Sequence, residues 1–434
     1  VRIIYLHQYF NTLEMSGGTR SYEMARRLVA KGHEVHMVTS WRDQKDDKDW
    51  FETKEAGINI HWLPVPYSNH MSYGQRIKAF LGFAFSAARK AASLKGDVIF
   101  ATSTPLTISL PAVYAAKRLE IPMVFEVRDL WPELPIAIGA LKNPLTLIFA
   151  RWLEKWSYRN SEAVIALSPG MRDGVVRAGY PVERIAVIPN SSDVDDFKCN
   201  EITAKDFRHQ REWLGDRPLL VYTGTFGRIN GVSYLVEIAT QLKKIAPEVR
   251  ILLVGGGLEC EDVRAKAQIS GVLDVNLFMQ SAVPKKDMPA LLAAADMASS
   301  LFVDLPEMQA NSANKFFDAL AAGKPVMLNY GGWQDDLVEA TGIGLVTWQL
   351  SFEEAAREIA SAIQDKDWLK KASKASKNLG QKLFDRDTLA CQLEEVLLSA
   401  QKRNGGKAQE ISSGDFLKQA KEIFKTDKNE NIKN

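Results

Sequence analysis

The sequence predicts an α/β chain made of two doubly wound domains facing a cleft, and three observations carry that expectation. At 434 residues the chain exceeds what one ordinary hydrophobic core serves, so two domains plus extras are expected. Apolar runs of strand length alternate with stretches of helical period as far as Trp348, the order of parallel sheets covered by helices. The alternation breaks once, in the polar stretch 191–217, and then resumes.

The first series of strands is "RIIYL", "EVHMVT", "INIHWLP", "DVIFAT", "PMVFEV", "AVIALS" and "RIAVIP", with helices in most of the gaps. They assign residues 1–192 to a first domain and 193–217 to a linker. The second series, "LLVYTGT", "RILLVGGG", "VNLFMQ", "MASSLF", "PVMLNY" and "GLVTW", falls in a second domain, 218–382, whose intervening helices are long enough for parallel crossovers. A helix over 383–400 is expected to return to the first domain, ahead of a polar tail, 401–434. Within the tail, Phe416, Leu417, Ala420, Ile423 and Phe424 share one helical face. Two doubly wound domains in tandem place the carboxyl ends of both sheets on the cleft between them, which is where ligands of such sheets bind.

Composition narrows the classes. The chain is 46% hydrophobic and 25% charged with a net charge of +2, which gives no global attraction to nucleic acid. Cys199, Cys260 and Cys391 lie far apart without metal-ligand or redox spacing, as expected of reduced thiols in a cytoplasmic protein. The opening "VRIIYLHQYF" enters a strand at once, with no basic region or cleavage site of a secretion signal. No apolar run reaches membrane-spanning length.

Candidate ligand contacts sit in the loops that follow strands. After the first strand, Gly17 and Gly18 open an amphipathic helix, where glycines let backbone amides approach an anion; the alternative is a tight strand-to-helix turn. In the second domain Gly224, Gly227, Arg228 and Gly231 follow one strand, and Gly255, Gly256 and Gly257 the next. The pair forms a wall that a diphosphate could approach closely. The stretch "NSANKFFDALAAGKPVMLNY" then starts a helix near Ser312 whose amides, with Lys315, suit a phosphate, while Asp318 suits ribose hydroxyls. Against this, Asn314 and Lys315 could simply solvate the helix start, with Asp318 favouring the dipole.

Together the stretches "GGTRSYEMARRLVAKGHEVHMVTS", "ALSPGMRDGVVRAGYPVERIAVIPNSSDVDDF", "YTGTFGRINGV", "ILLVGGGLE" and "KFFDALAAGKPVM" resemble the retaining glycosyltransferases of family 4, which have the two-Rossmann GT-B fold. The resemblance covers the chain to about residue 400. It implies an acceptor-binding first domain and a second domain for a nucleotide-sugar, a co-substrate rather than a cofactor, with UDP the expected nucleotide. It implies Gly17 and Gly18 beside donor diphosphate and acceptor, Gly224, Gly227 and Arg228 on the phosphate side, Gly255, Gly256, Gly257 and Glu259 at the nucleotide, and Ser312, Asn314, Lys315 and Asp318 at the diphosphate and ribose.

Several positions depart from the family pattern. The usual Glu-x7-Glu reads Ala310 and Asp318, although some subfamilies carry an Asn-Lys pair before the acid, as Asn314 and Lys315 do here. Asn230 replaces a basic residue, and the usual Asn-Gly-Val-Asp is Asn190, Ser191, Ser192, Asp193. "FEVRDLWPELP", with Arg128, Asp129 and Glu133, resembles the bacterial branch that transfers amino or deoxyamino sugars of the L-fucosamine type in polysaccharide assembly. A buried ion pair of Arg128 with Asp129 or Glu133 is the structural alternative to a substrate role.

In retaining enzymes of this fold the leaving diphosphate takes the acceptor proton on the same face, so the resemblance implies positioning and charge stabilisation without a protein nucleophile or a metal. Asp129, Arg228 and Lys315 are the expected catalytic residues. "DVDD" at 193–196 lies in the linker, and the histidines of "HEVH" at 33–36 face opposite sides of a strand, so neither reads as a metal site.

The stretch "YGQRIKAFLGFAFSAARKAASLK" carries Arg76, Lys78, Arg89, Lys90 and Lys95 without an acid, and puts Ile77, Phe80, Leu81, Ala84 and Phe85 along one stripe. Such a helix can lie on an anionic inner-membrane surface near a polyprenyl-linked or other glycan acceptor; the alternative is packing on the first sheet. Trp152 and Trp156 are ambiguous in the same way. Two rival readings are a sugar-nucleotide 2-epimerase of the same fold and, motivated by Ala310, a binding scaffold without catalysis.

Overall fold

The computed structural model describes residues 1–15, 17–43, 49–66, 71, 73–198, 201–402 and 416–425. Contacts divide it into two units. The first comprises Val1–Pro189, Ala310–Ser312 and the described residues of Asp387–Ser412; the second comprises Asn190–Gln309, Ala313–Arg386 and the described residues of Ser413–Asn434.

The sheet of the first unit holds β1 (Arg2–Leu6), β2 (Glu34–Trp41), β3 (Phe51–Glu55), β4 (Ile58–Pro64), β5 (Val98–Thr102), β6 (Met123–Val127), β7 (Ala163–Ala166) and β8 (Ile185–Val187). Their order is β3-β4-β2-β1-β5-β6-β7-β8. Every neighbouring pair is parallel except β3 with β4. The inner strands are continuous apolar runs because both of their faces are covered. Ile4 and Leu6 point to the side of Phe83, Ala87 and Phe125, whereas Ile3 and Tyr5 point to the side of Met24, Leu28 and Phe100. Leu389, Leu393, Val396 and Leu397 of helix Arg386–Gln401 complete the second of these layers.

The edge strand β3 is absent from the sequence reading. Its residues, Phe-Glu-Thr-Lys-Glu, are mostly exposed and give no apolar run, and antiparallel pairing with β4 at the sheet margin is what forms it.

The sheet of the second unit holds β9 (Leu219–Thr225), β10 (Arg250–Gly256), β11 (Leu277–Gln280), β12 (Met297–Ser300), β13 (Val326–Leu328) and β14 (Gly344–Val346). It is parallel throughout, in the order β11-β10-β9-β12-β13-β14. One face packs on helices Ser233–Ile245 and Phe352–Gln364 through Leu220, Tyr222, Ile251, Leu253, Leu235 and Ile359. The stretch expected to be a linker lies with this unit and covers part of the other face. It folds into helix Glu201–His209 and contributes Phe207, Trp213 and Leu214 against Leu219, Val221, Leu252 and Val254.

Of the tail, residues 416–425 are helical. Phe416 and Ala420 are buried, and Phe416 lies 6.0 Å from the rings of both Trp333 and Phe384. Cys260 and Cys391 are free thiols, and Cys199 lies outside the described residues. Among the described residues no helix is long and apolar enough to cross a membrane.

Candidate functional site

In the second sheet the strand order reverses between β9 and β12, so ligand chemistry is expected beyond the carboxyl ends of these two strands. The structure places Lys315 there. Its amine stands 4.9 Å over the Tyr222 ring, on β9, and 5.7 Å over the Phe302 ring, just past β12. A Cβ on Gly224 would come within 3.3 Å of that amine, so the glycine leaves room for it. Burial lowers the amine to about 8, against the opposing pull of Asp318. The result is a partly buried cation held by two aromatic faces, beside glycine backbone.

Strand packing accounts for most of the glycines at these two strand ends. Gly224 and Gly255 are paired across β9 and β10. At φ +157° a Cβ on Gly255 would lie 1.8 Å from the Gly224 oxygen, and one on Gly257 would lie 2.6 Å from the Phe226 oxygen. Gly256 differs, since no described residue lies within 4 Å of its missing Cβ. Gly227 turns back onto Asn230, whose backbone N–H donates to the Gly227 carbonyl at 2.9 Å. Arg228 is exposed, and Glu259 sits at the amino end of helix Cys260–Ile269, where its backbone N–H donates to Phe226.

The helix behind Lys315 begins at Asn314, two residues later than the sequence suggests, and spans Asn314–Ala321. Asn314 is exposed, whereas Ser312 is buried and groups with the first unit. Asp318 is not a free ribose acceptor. Its carboxylate takes hydrogen bonds from the Lys285 amine at 2.7 and 2.8 Å and a short one from the Ser192 hydroxyl. Sequence reading missed Lys285, which lies 33 residues away and meets Asp318 only through the fold. Two of the three "DVDD" carboxylates are engaged as well, Asp193 by Arg386 at 2.7 Å and Asp195 by Lys198 at 2.6 Å.

In the first sheet the order reverses between β1 and β5. Residues from four neighbouring strand ends meet at this carboxyl edge: Arg42 after β2, His7 after β1, Ser103 and Thr104 after β5, and Arg128 and Asp129 after β6. Arg128 reaches His7 Nε2 at 3.3 Å, and its backbone N–H donates to Ser103 at 3.0 Å. Thr104 donates to Asp129 at 3.2 Å. Burial raises the Asp129 carboxyl, although Arg128 and Thr104 oppose it.

The ion pair weighed for Arg128 with Asp129 or Glu133 is not formed among the described residues; Glu133 instead meets Arg177 at 3.2 Å, near the surface. The buried pair of this unit is Arg20 with Glu126. Arg20 donates two hydrogen bonds to Glu126, at 3.0 and 2.9 Å, and reaches the Pro189 and Ile188 carbonyls. Burial alone would raise Glu126, but Arg20 and Arg128, with the hydrogen bonds from Arg20 and Thr102, hold it below its ordinary value. A lone Glu inside "PMVFEV" was the available signal, since a carboxylate in a covered strand requires a buried cation.

Gly17 has φ +130° beside Asn11, which ties the loop by donating to the Gly18 carbonyl at 3.2 Å. Residue 16, next to them, lies outside the described residues. His33 and His36 have separate partners, Glu394 for the first, and Glu34 and His61 for the second.

The apolar stripe of helix Tyr73–Ser93 divides into two faces. Phe83, Ala84 and Ala87 are buried, whereas Ile77, Leu81 and Phe85 are 52%, 48% and 64% exposed. Helix Pro144–Arg159 likewise exposes Leu145, Ile148, Phe149 and Trp152, and stacks Trp152 on Phe149 and Trp156.

Residues 17–191 match the glycosyl transferase 4-like domain, and residues 204–380 match the glycosyl transferases group 1. A GDP-mannose-dependent alpha-(1-6)-phosphatidylinositol monomannoside mannosyltransferase of Mycobacterium tuberculosis is 24% identical over 88% of this chain and 94% of its own. An alpha-D-kanosaminyltransferase of Streptomyces kanamyceticus is 22% identical over 52% of this chain and 58% of its own. The crystal structure of Anabaena Alr3699/HepE in complex with UDP-glucose has a TM-score of 0.70 at 18% identity, over 92% of this chain and 99% of that one, which is a likeness of fold. The two matched families follow one another in the order of the two sheets and take in most of the chain, which therefore belongs to the group 1, family 4 type of glycosyltransferases with the GT-B fold.

Proposed function

We propose that this glycosyltransferase is a retaining one, moving a sugar from a nucleotide-sugar to a glycan or polyprenyl-linked acceptor in cell-surface polysaccharide or glycolipid synthesis. The observation that carries the reading is Lys315, a partly buried amine over Tyr222 and Phe302 at the switch point of the second sheet. A diphosphate is the ligand that such a cation, the first amides of helix Asn314–Ala321 and the open backbone at Gly256 would suit together.

In the reaction the bond from the sugar anomeric carbon to the diphosphate oxygen breaks. The acceptor oxygen bonds that carbon on the same face, and its proton passes to the departing phosphate. Lys315 and Arg228 would stabilise the charge growing on the phosphate, and Asp129, with Arg128, would contact sugar or acceptor. Asp318 remains the ribose candidate if the nucleotide takes the place of Lys285. This chemistry asks for no metal.

The nucleotide is fixed by titrating UDP, GDP, TDP and ADP against the purified protein and following its thermal midpoint, since a ligand of the folded state stabilises it. A selective shift names the donor. Product analysis with that donor and inner-membrane lipid extract then separates transfer from 2-epimerisation. An amino or deoxyamino sugar is the first donor sugar to try, given the "FEVRDLWPE" stretch and the likeness to a kanosaminyltransferase.

The scaffold reading is favoured by one residue, Ala310, where family members carry Glu; its backbone oxygen accepts from Ser168 instead. Donor left intact after long incubation would establish that reading. Peripheral membrane contact is supported by the exposed Ile77, Leu81 and Phe85, with Arg89 lying 4.3 Å over Phe85, and by Trp152. Co-sedimentation with anionic vesicles tests it, and retention unchanged in a Phe85→Ser, Trp152→Ser variant would exclude those helices.

A further inference from the structure

The carboxyl edge of the first sheet holds buried polar groups that no other described residue satisfies. His7 is 4% exposed and accepts from Arg128 on Nε2, so its proton is on Nδ1, and Nδ1 is buried without a partner among the described residues. Burial, Arg128 and Arg42 together hold this imidazole well below its ordinary value, so it stays neutral between two cations. Gln8, the next residue, is 1% exposed, and neither end of its side-chain amide has a hydrogen-bond partner among the described residues.

Both guanidiniums lack an ion pair among the described residues. Arg42 donates to the side chain of Asn11, and Arg128 to His7. The nearby carboxylates have other hydrogen-bond partners: Glu126 is engaged by Arg20 and Thr102, and Asp129 accepts from Thr104, so both feel Arg128 only through space. Two half-buried arginines and an orphaned imidazole N–H, gathered at the switch point from the ends of β2, β1 and β6, form a site for an oxyanion with planar, bidentate donors.

We infer that the acceptor carries a phosphate and that Arg42, Arg128 and His7 Nδ1 of the first unit recognise it. The inference rests on the glycosyl-transfer reading and assigns a chemical class to its acceptor. It adds His7 and Arg42 as binding residues and gives Arg128 a ligand of defined charge. A phosphate there would accept from both guanidiniums and from the imidazole N–H, filling the donors that the folded chain leaves open.

The test uses the full chain with isotopically labelled histidine. There are six histidines, and the His7 ring signals are assigned by their loss in His7→Asn. Glucose 1-phosphate and geranyl phosphate are titrated as the phosphate probes, with methyl glucoside as the neutral control. The expected result is a saturable shift of the His7 signals with either phosphate and none with methyl glucoside; whichever phosphate binds tighter tells a free sugar phosphate from a prenyl-linked one. Arg42→Gln and Arg128→Gln should each weaken binding at least tenfold, and Arg128→Lys should recover part of it. The response should persist in Lys315→Met and with saturating nucleoside diphosphate present, which keeps it separate from the donor site. Silence of His7 toward both phosphates, or an equal shift with methyl glucoside, would overturn the inference. So would a His7 shift produced by the nucleoside diphosphate alone that shuts out both probes, since the arginines would then serve the donor.

Discussion

Lys315→Met removes one charge and little volume, and its two effects should have opposite signs. In the unliganded protein burial holds the amine at about 8 instead of its ordinary 10.5. Because one unit is worth about 1.36 kcal/mol, the shift from 10.5 to about 8 means that the protonated form costs the fold no more than about 3–4 kcal/mol at neutral pH. Lys315 as a residue is half-buried, so screening by nearby water reduces this to about 1–2 kcal/mol. Losing the cation contacts to Tyr222 and Phe302 returns about 0.5 kcal/mol each. The variant should therefore be as stable as the parent or more stable by about 1 kcal/mol, while its affinity for the nucleoside diphosphate falls by about tenfold to a hundredfold through loss of a charged hydrogen bond.

The pH dependence follows from linkage. Below about 8 both folded and unfolded chains hold the proton; between about 8 and 10.5 only the unfolded chain does, so the parent gains stability as pH rises through that window. Its diphosphate affinity should run the other way, dropping about tenfold per pH unit above about 8. Both slopes should be absent in Lys315→Met. Urea unfolding and calorimetric titration at pH 7, 8 and 9 read the two effects. A variant that loses stability and affinity in parallel would show that Lys315 is a structural residue and refute the reasoning.

Four further outcomes are expected. Asp318→Asn should cost about 2 kcal/mol in urea unfolding by leaving Lys285 without its carboxylate, and should weaken nucleotide binding as well; unchanged affinity would put Asp318 outside the ribose site. Arg20→Gln should cost about 3–5 kcal/mol by stranding the buried Glu126, and adding Glu126→Gln should restore part of it; strictly additive losses would deny the pair. Burial, aided by Glu133, raises Glu154 to about 7, so the folded state holds this proton after the unfolded chain has lost it. Stability should then decline from about pH 4.5 to about 7 by about 2–3 kcal/mol more in the parent than in Glu154→Gln, and parallel pH profiles would refute that assignment. Gly255→Ala should unfold the second unit or cost more than about 3 kcal/mol, whereas Gly256→Ala should fold normally and lose only nucleotide affinity; equal thermal midpoints for the two would contradict the packing.

The sequence by itself determined the layered α/β architecture, because a parallel strand covered on both faces must be a continuous apolar run, and "DVIFAT" or "RILLVGG" can hardly be anything else. It also placed Gly224 and Gly255 at strand ends and Lys315 at the amino end of a helix, since glycines that close a strand and the start of a helix are local features. What it could not determine was how charge is distributed between distant stretches. Asp318 looks free on its own helix and is paired only because Lys285 and Ser192 arrive from other loops. Arg128 looks ready to pair with its chain neighbours Asp129 and Glu133, yet it turns to His7. Strand β3 and helix Glu201–His209 were hidden for a related reason: an edge strand and a covering segment are stabilised by the surface they meet, and their own residues are mostly polar. Local pattern fixes which faces are apolar; the sheet order fixes which strand ends, and hence which charges, come within a hydrogen bond of one another.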